Sequence, residues 1–107
     1  MQKVSAKRQE VLHAFTAALQ ERFPGAVRVL LYGSEARGEA DTDSDLDVLL
    51  IVQPGLQQTV REEAAQIVSH LTSSGAPYIS IVTVDQDRWQ LATPFNDEVK
   101  RDAVTLL

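Results

Sequence analysis

The run Leu46-Asp47-Val48-Leu49-Leu50-Ile51-Val52 restricts the fold of this chain most, because six of its seven residues are apolar and demand burial while one is a carboxylate. Extended, the run is a strand, and Asp45 and Asp47 then project on the same side, since side chains alternate faces with period two. Two carboxylates one residue apart at the entry of a buried strand make a place for a divalent cation. Upstream, Val27-Arg28-Val29-Leu30-Leu31-Tyr32 reads as a second buried strand. It stops at Gly33-Ser34, where the missing Cβ of Gly33 lets the backbone approach a phosphate closely.

For the end of the first strand and the start of the second to share one site, the two must run antiparallel as neighbours, joined by residues 35–44. The opening of that connection, Ser34-Glu35-Ala36-Arg37, suits one short helical turn. Ser34 is a good N-cap, and its hydroxyl and the adjacent N–H groups point where an anion would sit. A triphosphate with bound magnesium fits between the two halves.

Gly33-Ser34-Glu35-Ala36-Arg37-Gly38 followed by Ser44-Asp45-Leu46-Asp47 resembles the signature of the DNA polymerase beta-like nucleotidyltransferase superfamily. Within it, the chain resembles the minimal nucleotidyltransferase (MNT) domains of prokaryotes. Two blocks at fixed separation, each with its strand, carry the match. The resemblance covers nearly the whole chain, including a closing stretch Pro94-Phe95…Val99…Leu106. It implies an α/β (α+β) fold, a small mixed sheet of about three main strands packed with helices, in a single nucleotidyltransferase-like domain over 1–107.

The resemblance also implies an activity: transfer of a nucleoside monophosphate, AMP, from a nucleoside triphosphate, ATP, with Mg2+ or Mn2+ as cofactor. Asp45 and Asp47 would be the catalytic and metal-binding acids, and Gly33, Ser34 and Arg37 the nucleotide-phosphate contacts. Arg37 has a structural reading as well, as an ion-pair partner of Asp41 or Asp43 across the turn. Small MNT proteins are often encoded beside a HEPN-domain protein, and some act as antitoxins by adenylylating it. A HEPN-type partner protein in a toxin–antitoxin system is therefore implied here, with the oligomeric state left open.

Superfamily members usually complete the site with a third acid on the next strand. Here that strand, Tyr78-Ile79-Ser80-Ile81-Val82-Thr83-Val84, follows a helix, so it should run parallel to the second strand and begin beside Asp45 and Asp47. Ser80 then stands where the acid is expected. Asp85 and Asp87 fall at the opposite end of the strand, too far to join the same ion. Two functions from different classes follow: a nucleotidyltransferase, or a catalytically weak or inactive nucleotide-binding module that acts by docking to a partner protein.

A net charge of −5, with Glu35, Glu39, Asp41, Asp43, Asp45 and Asp47 crowding the signature, argues against nucleic acid as the main partner and for a cation that offsets the acids. Lys3, Lys7 and Arg8 read as a solvated face. No cysteine is present, so any metal is held by oxygen or imidazole. No apolar run approaches the roughly 20 residues of a membrane span, and the N-terminus shows no signal core, which makes the cytoplasm the expected location.

Along the chain, Ser5 to Phe23 reads as a helix with Val11, Leu12, Phe15 and Leu19 inward, and Leu56 to Ser74 as another with Val60, Ala64, Ile67, Val68 and Leu71 inward. The tail reads as two helical pieces parted near Thr93-Pro94, with Phe95, Val99, Ala103 and Leu106 as an apolar stripe. His13 and His70 lie on helices away from the signature. Trp89 and Tyr78 read as packing residues.

Overall fold

A computed structural model of the chain describes residues 6–33 and 45–107. In chain order the elements are α1 (Ala6–Arg22), β1 (Val27–Tyr32), β2 (Leu46–Val52), α2 (Gln57–Ser73), β3 (Ile79–Asp85), α3 (Gln86–Trp89), α4 (Pro94–Asp102) and β4 (Val104–Thr105). The sheet order is β3-β2-β1-β4. β1 and β2 pair antiparallel, with Val27 opposite Val52 and Tyr32 opposite Asp47. β3 pairs parallel to β2, as the helical crossover requires.

Alternation along the two central strands sorts their side chains into two apolar layers. Val29, Leu31, Val48 and Leu50 face α1 and α2, where Phe15, Leu19, Val60 and Ala64 close the larger core. Leu30, Leu49 and Ile51 face the opposite way and are covered by Trp89 of α3 and Val99 of α4. Because β2 is buried on both sides along almost its whole length, the near-continuous apolar run that marked it is a physical necessity. Asp47 is the one residue of β2 that keeps solvent access.

The tail departs from the expected pair of helices. Both are present, and Thr93 caps the second by accepting from the Asn96 N–H at 3.0 Å with Pro94 in the first turn. The chain then turns extended at Ala103, and Val104–Thr105 pair antiparallel with Leu30 and Leu31. The N–H of Leu106 donates to the Val29 carbonyl at 2.8 Å, and the Val29 N–H to the Leu107 carbonyl at 3.0 Å. The outer backbone groups of β1 needed partners, and β-branched Val104-Thr105 supplies them at lower conformational cost than another helical turn. Leu106 therefore packs on the α1/α2 core instead of continuing the stripe of α4.

Two further expectations are corrected. Arg8 is 5% exposed, not solvated, because it lies three and four residues before Val11 and Leu12 on the inward face of α1, whereas Lys7 beside it is exposed. Tyr78 is 54% exposed and packs into no core, since it precedes β3 at the rim of the sheet. Trp89 is buried, and His13 and His70 are both exposed.

Candidate active site

Register brings Tyr32, Asp47 and Ser80 to one level on three adjacent strands. Neighbouring strands lie about 4.8 Å apart, so Ser80 stands one strand spacing from Asp47. All three have the parity of Leu30 and Leu49 and thus belong to the α3/α4 side of the sheet. Ser80 occupies the level expected of a third acid, and Asp85 pairs with Val52 at the far end of β2. Asp85 has a separate task, accepting from the Arg88 N–H at 2.8 Å as the N-cap of α3.

Gly33 follows Tyr32 with φ +75°, a left-handed backbone that side chains disfavour. A Cβ built there would lie 2.5 Å from Asp47 Oδ2 and 3.3 Å from Asp47 Cγ. The missing side chain thus makes room for the Asp47 carboxylate, a use that the sequence reading had not assigned beside close approach to phosphate. Asp45 is exposed and stands immediately before β2, at the parity of Asp47. Ser34 and Arg37, together with Asp41 and Asp43, lie outside the described residues.

Asp47 opens into a cavity of about 350 Å³. β1 contributes Tyr32 and Gly33 to its wall, and α4 contributes Phe95, Glu98, Val99 and Asp102. Tyr32 and Phe95 meet edge to face, with centroids 5.8 Å apart and planes at 85°. Burial raises the pKa of the Tyr32 phenol, and the negative charge of Asp47 raises it further. Sequence reading missed this α4 wall. Glu98 and Asp102, four apart on a short helix, look like a solvated edge until the fold lays α4 across the end of the sheet.

Among the described residues, no three His, Asp or Glu side chains converge in a way that could hold one metal ion. Asp47, Glu98 and Asp102 ring the cavity without meeting at a point. A pair of carboxylates at positions 45 and 47 nonetheless suits magnesium, which takes one or two protein carboxylates and fills its remaining positions with water and substrate phosphate.

The mixed sheet with helices on both faces, which sets an acidic strand entry against a glycine turn, is the polymerase beta-like nucleotidyltransferase fold. The chain belongs to the nucleotidyltransferase domain family, whose model matches residues 12–104. It is 31% identical over 77 residues to a "putative protein adenylyltransferase" of Methanocaldococcus jannaschii, covering 72% of this chain and 75% of that protein. Two solved structures share the fold. One, a "putative nucleotidyltransferase" from Sulfolobus solfataricus, superposes with TM-score 0.58 at 18% identity over 95% of this chain and 87% of that one. The other is a chain of a toxin–antitoxin structure with AMP-PNP, with TM-score 0.57 at 20% identity over 89% of this chain and 72% of that one. No helix among the described residues is long and apolar enough to cross a membrane.

Proposed function

We propose that this chain, acting as one nucleotidyltransferase unit, transfers AMP from magnesium-bound ATP to a hydroxyl of a partner protein of the HEPN type, in the manner of an antitoxin in the cytoplasm. The acceptor oxygen bonds to the α-phosphorus, the bond from that phosphorus to the α–β bridging oxygen breaks, pyrophosphate leaves, and the acceptor proton passes to a base. Asp45 and Asp47 would hold the metal, which neutralises charge on the phosphates. Gly33, Ser34 and Arg37 would receive the phosphates. The observation that carries the reading is the room Gly33 leaves for the Asp47 carboxylate, since a Cβ there would fall 2.5 Å from Asp47 Oδ2. The adenylyltransferase name of the archaeal relative and the AMP-PNP in the toxin–antitoxin structure support adenylyl transfer and a protein acceptor.

One observation favours a second reading. Ser80 stands at the level of Asp47, where a third carboxylate would bind metal or serve as base, and a serine does neither well. On that reading the domain binds nucleotide and neutralises its partner by docking alone. Incubation with ATP labelled on its α-phosphate, magnesium and the copurifying partner separates the two. Label on the partner that disappears in Asp47→Asn is the outcome for an enzyme; nucleotide binding without label is the outcome for a module. Labelling that persists in Asp47→Asn removes this site from the chemistry.

A further inference from the structure

Among the described residues, one edge of the sheet is the two-residue β4 and the other is the seven-residue β3. β1 is covered on its outer side by β4, whereas β3 meets no further strand among the described residues. From Ile79 through Val84 the open strand carries no charge, proline or glycine. Sheets ordinarily protect such an edge with charge, proline, a bulge or a covering element. Tyr78 and Val82, 54% and 37% exposed, are two of the large apolar residues left at the surface, and both lie here. Beside Tyr78 a groove of about 570 Å³ opens between β3 and α2, with Ala65, Val68, Ser69, Thr72 and Ser73 on its helix side and Arg61 at the Thr83 end, its Nη2 donating to Thr83 Oγ1 at 3.0 Å. Away from Arg61 the side chains are small enough to let another chain approach closely.

Register identifies which backbone groups are at stake. The Leu46 N–H donates to the Tyr78 carbonyl at 2.9 Å. In a parallel ladder that alternation turns Ser80, Val82 and Val84 toward β2, and leaves Ile79, Ile81 and Thr83 pointing their N–H and C=O groups outward. One of these outward groups already has a partner, because Gln57 Nε2 donates to the Thr83 carbonyl at 3.2 Å.

We propose that a second copy of this chain covers the open edge, its β3 pairing antiparallel with this one about a two-fold axis at Ser80. The Thr83 carbonyl selects the register. With Ser80 on the axis, Ile79 faces Ile81 of the second copy and Thr83 faces Pro77. Proline has no N–H, so it makes no demand on the carbonyl that Gln57 holds, while the Thr83 N–H reaches the Pro77 carbonyl. An axis at Ile81 or Val82 instead sets the N–H of Ile79 or Ile81 against that carbonyl, in competition with Gln57. The Ser80 register also brings Tyr78 of each copy opposite Val82 of the other, covering both exposed residues twice. This reciprocity favours a second copy over an unrelated strand.

The pairing has a consequence for the site. Ser80 adjoins Asp47, so Asp47 and its counterpart lie three strand spacings apart, roughly 14 Å, and open on the same side of one eight-stranded sheet. A strand pair about 23 Å long, with the α2 rims, falls at the low end of specific interfaces.

The absence of cysteine provides the test. In Ser80→Cys the only thiols would sit at a non-hydrogen-bonded pair with Cα atoms about 4.5 Å apart, a span that a disulfide bridges. The full chain carrying Ser80→Cys should become a covalent dimer under mild oxidation. Val84→Cys should not, since its counterpart is offset by roughly 26 Å along the strand. The native chain should sediment as a dimer at about 100 µM, and Val82→Lys should render it monomeric with an unchanged circular dichroism spectrum. A native chain that stays monomeric at that concentration and does not cross-link through Ser80→Cys overturns the proposal. So does efficient cross-linking through Val84→Cys, or a Val82→Lys effect confined to binding of a different protein.

Discussion

The Asp47 carboxylate lies against Gly33 where a side chain would be, 2.5 Å from the position a Cβ would take. A side chain at residue 33 would therefore require the Asp47 carboxylate to shift. Gly33→Ala is expected to cost about 1–2 kcal/mol of stability from its positive φ and to push the carboxylate aside. Displacements on the ångström scale at a reacting centre cost on the order of 100-fold in rate. Gly55→Ala, also at positive φ but with nothing within 4 Å of the new methyl, is the control. It should lose similar stability in a denaturant titration and keep nucleotide binding; Gly33→Ala should lose both.

Tyr32 ties the site to alkaline pH. Its pKa is raised by burial and then by Asp47, so the unfolded chain gives up this proton first as pH rises. The resulting stability is fully present below about pH 10, the unfolded value, and is lost as pH climbs through the raised folded value. Ultraviolet titration in a Tyr78→Phe background, where Tyr32 is the one remaining tyrosine, should show a late transition. Adding Asp47→Asn should move it part of the way back. Failure of Asp47→Asn to move it would mean that the carboxylate does not face the phenol.

Asn96 holds the α4 wall in place. Buried at 5% exposure, its Nδ2 donates to the carbonyls of Arg88 and Leu91, both at 3.0 Å, locking the turn between α3 and α4. Asn96→Ala removes one donor from each of those carbonyls, which keep the Leu91 and Thr93 N–H groups at 3.1 Å, and should cost about 1 kcal/mol. The fluorescence of Trp89, packed beneath the same turn with Lys100 Nζ 4.9 Å above its ring, should report the loosening. An unchanged unfolding midpoint would contradict this role.

Arg8 and Lys7 give a contrast between adjacent cations. Arg8→Ala removes a buried, interacting side chain and should lower stability by about 1–3 kcal/mol, whereas Lys7→Ala should stay within about 0.5 kcal/mol. Urea titrations of the two variants check it, and equal midpoints would refute it.

The sequence made the scaffold legible where apolar runs ended at glycine or proline. β1 and β2 fall at their expected bounds, and the crossover helix predicted the parallel β3 and with it the level of Ser80. Arg8 was misread because its charge was weighed above its spacing, three and four residues before the buried Val11 and Leu12. β4 was missed because two residues show no period, and its pairing answers a need of β1 that is not local. Tyr32, Phe95, Glu98 and Asp102 come together through the placement of α4, a tertiary fact without a spacing signature.

The level shared by Asp47 and Ser80 predicts that a carboxylate can be restored. Ser80→Asp, assayed in dilute solution so that two such residues do not meet at a dimer axis, should raise metal-dependent adenylyl transfer at least about tenfold. No gain, with nucleotide binding intact, would show that this level does not serve the reacting phosphate.

Calorimetric titration of the chain with ATP and magnesium tests the central claim most directly, comparing the native protein with Asp47→Asn and with Glu62→Gln on the exposed face of α2. A magnesium-dependent affinity that falls at least about tenfold in Asp47→Asn and is unchanged in Glu62→Gln is predicted, roughly 1.4 kcal/mol or more assigned to one carboxylate. Affinity equal in all three proteins would contradict a nucleotide site built on Asp47.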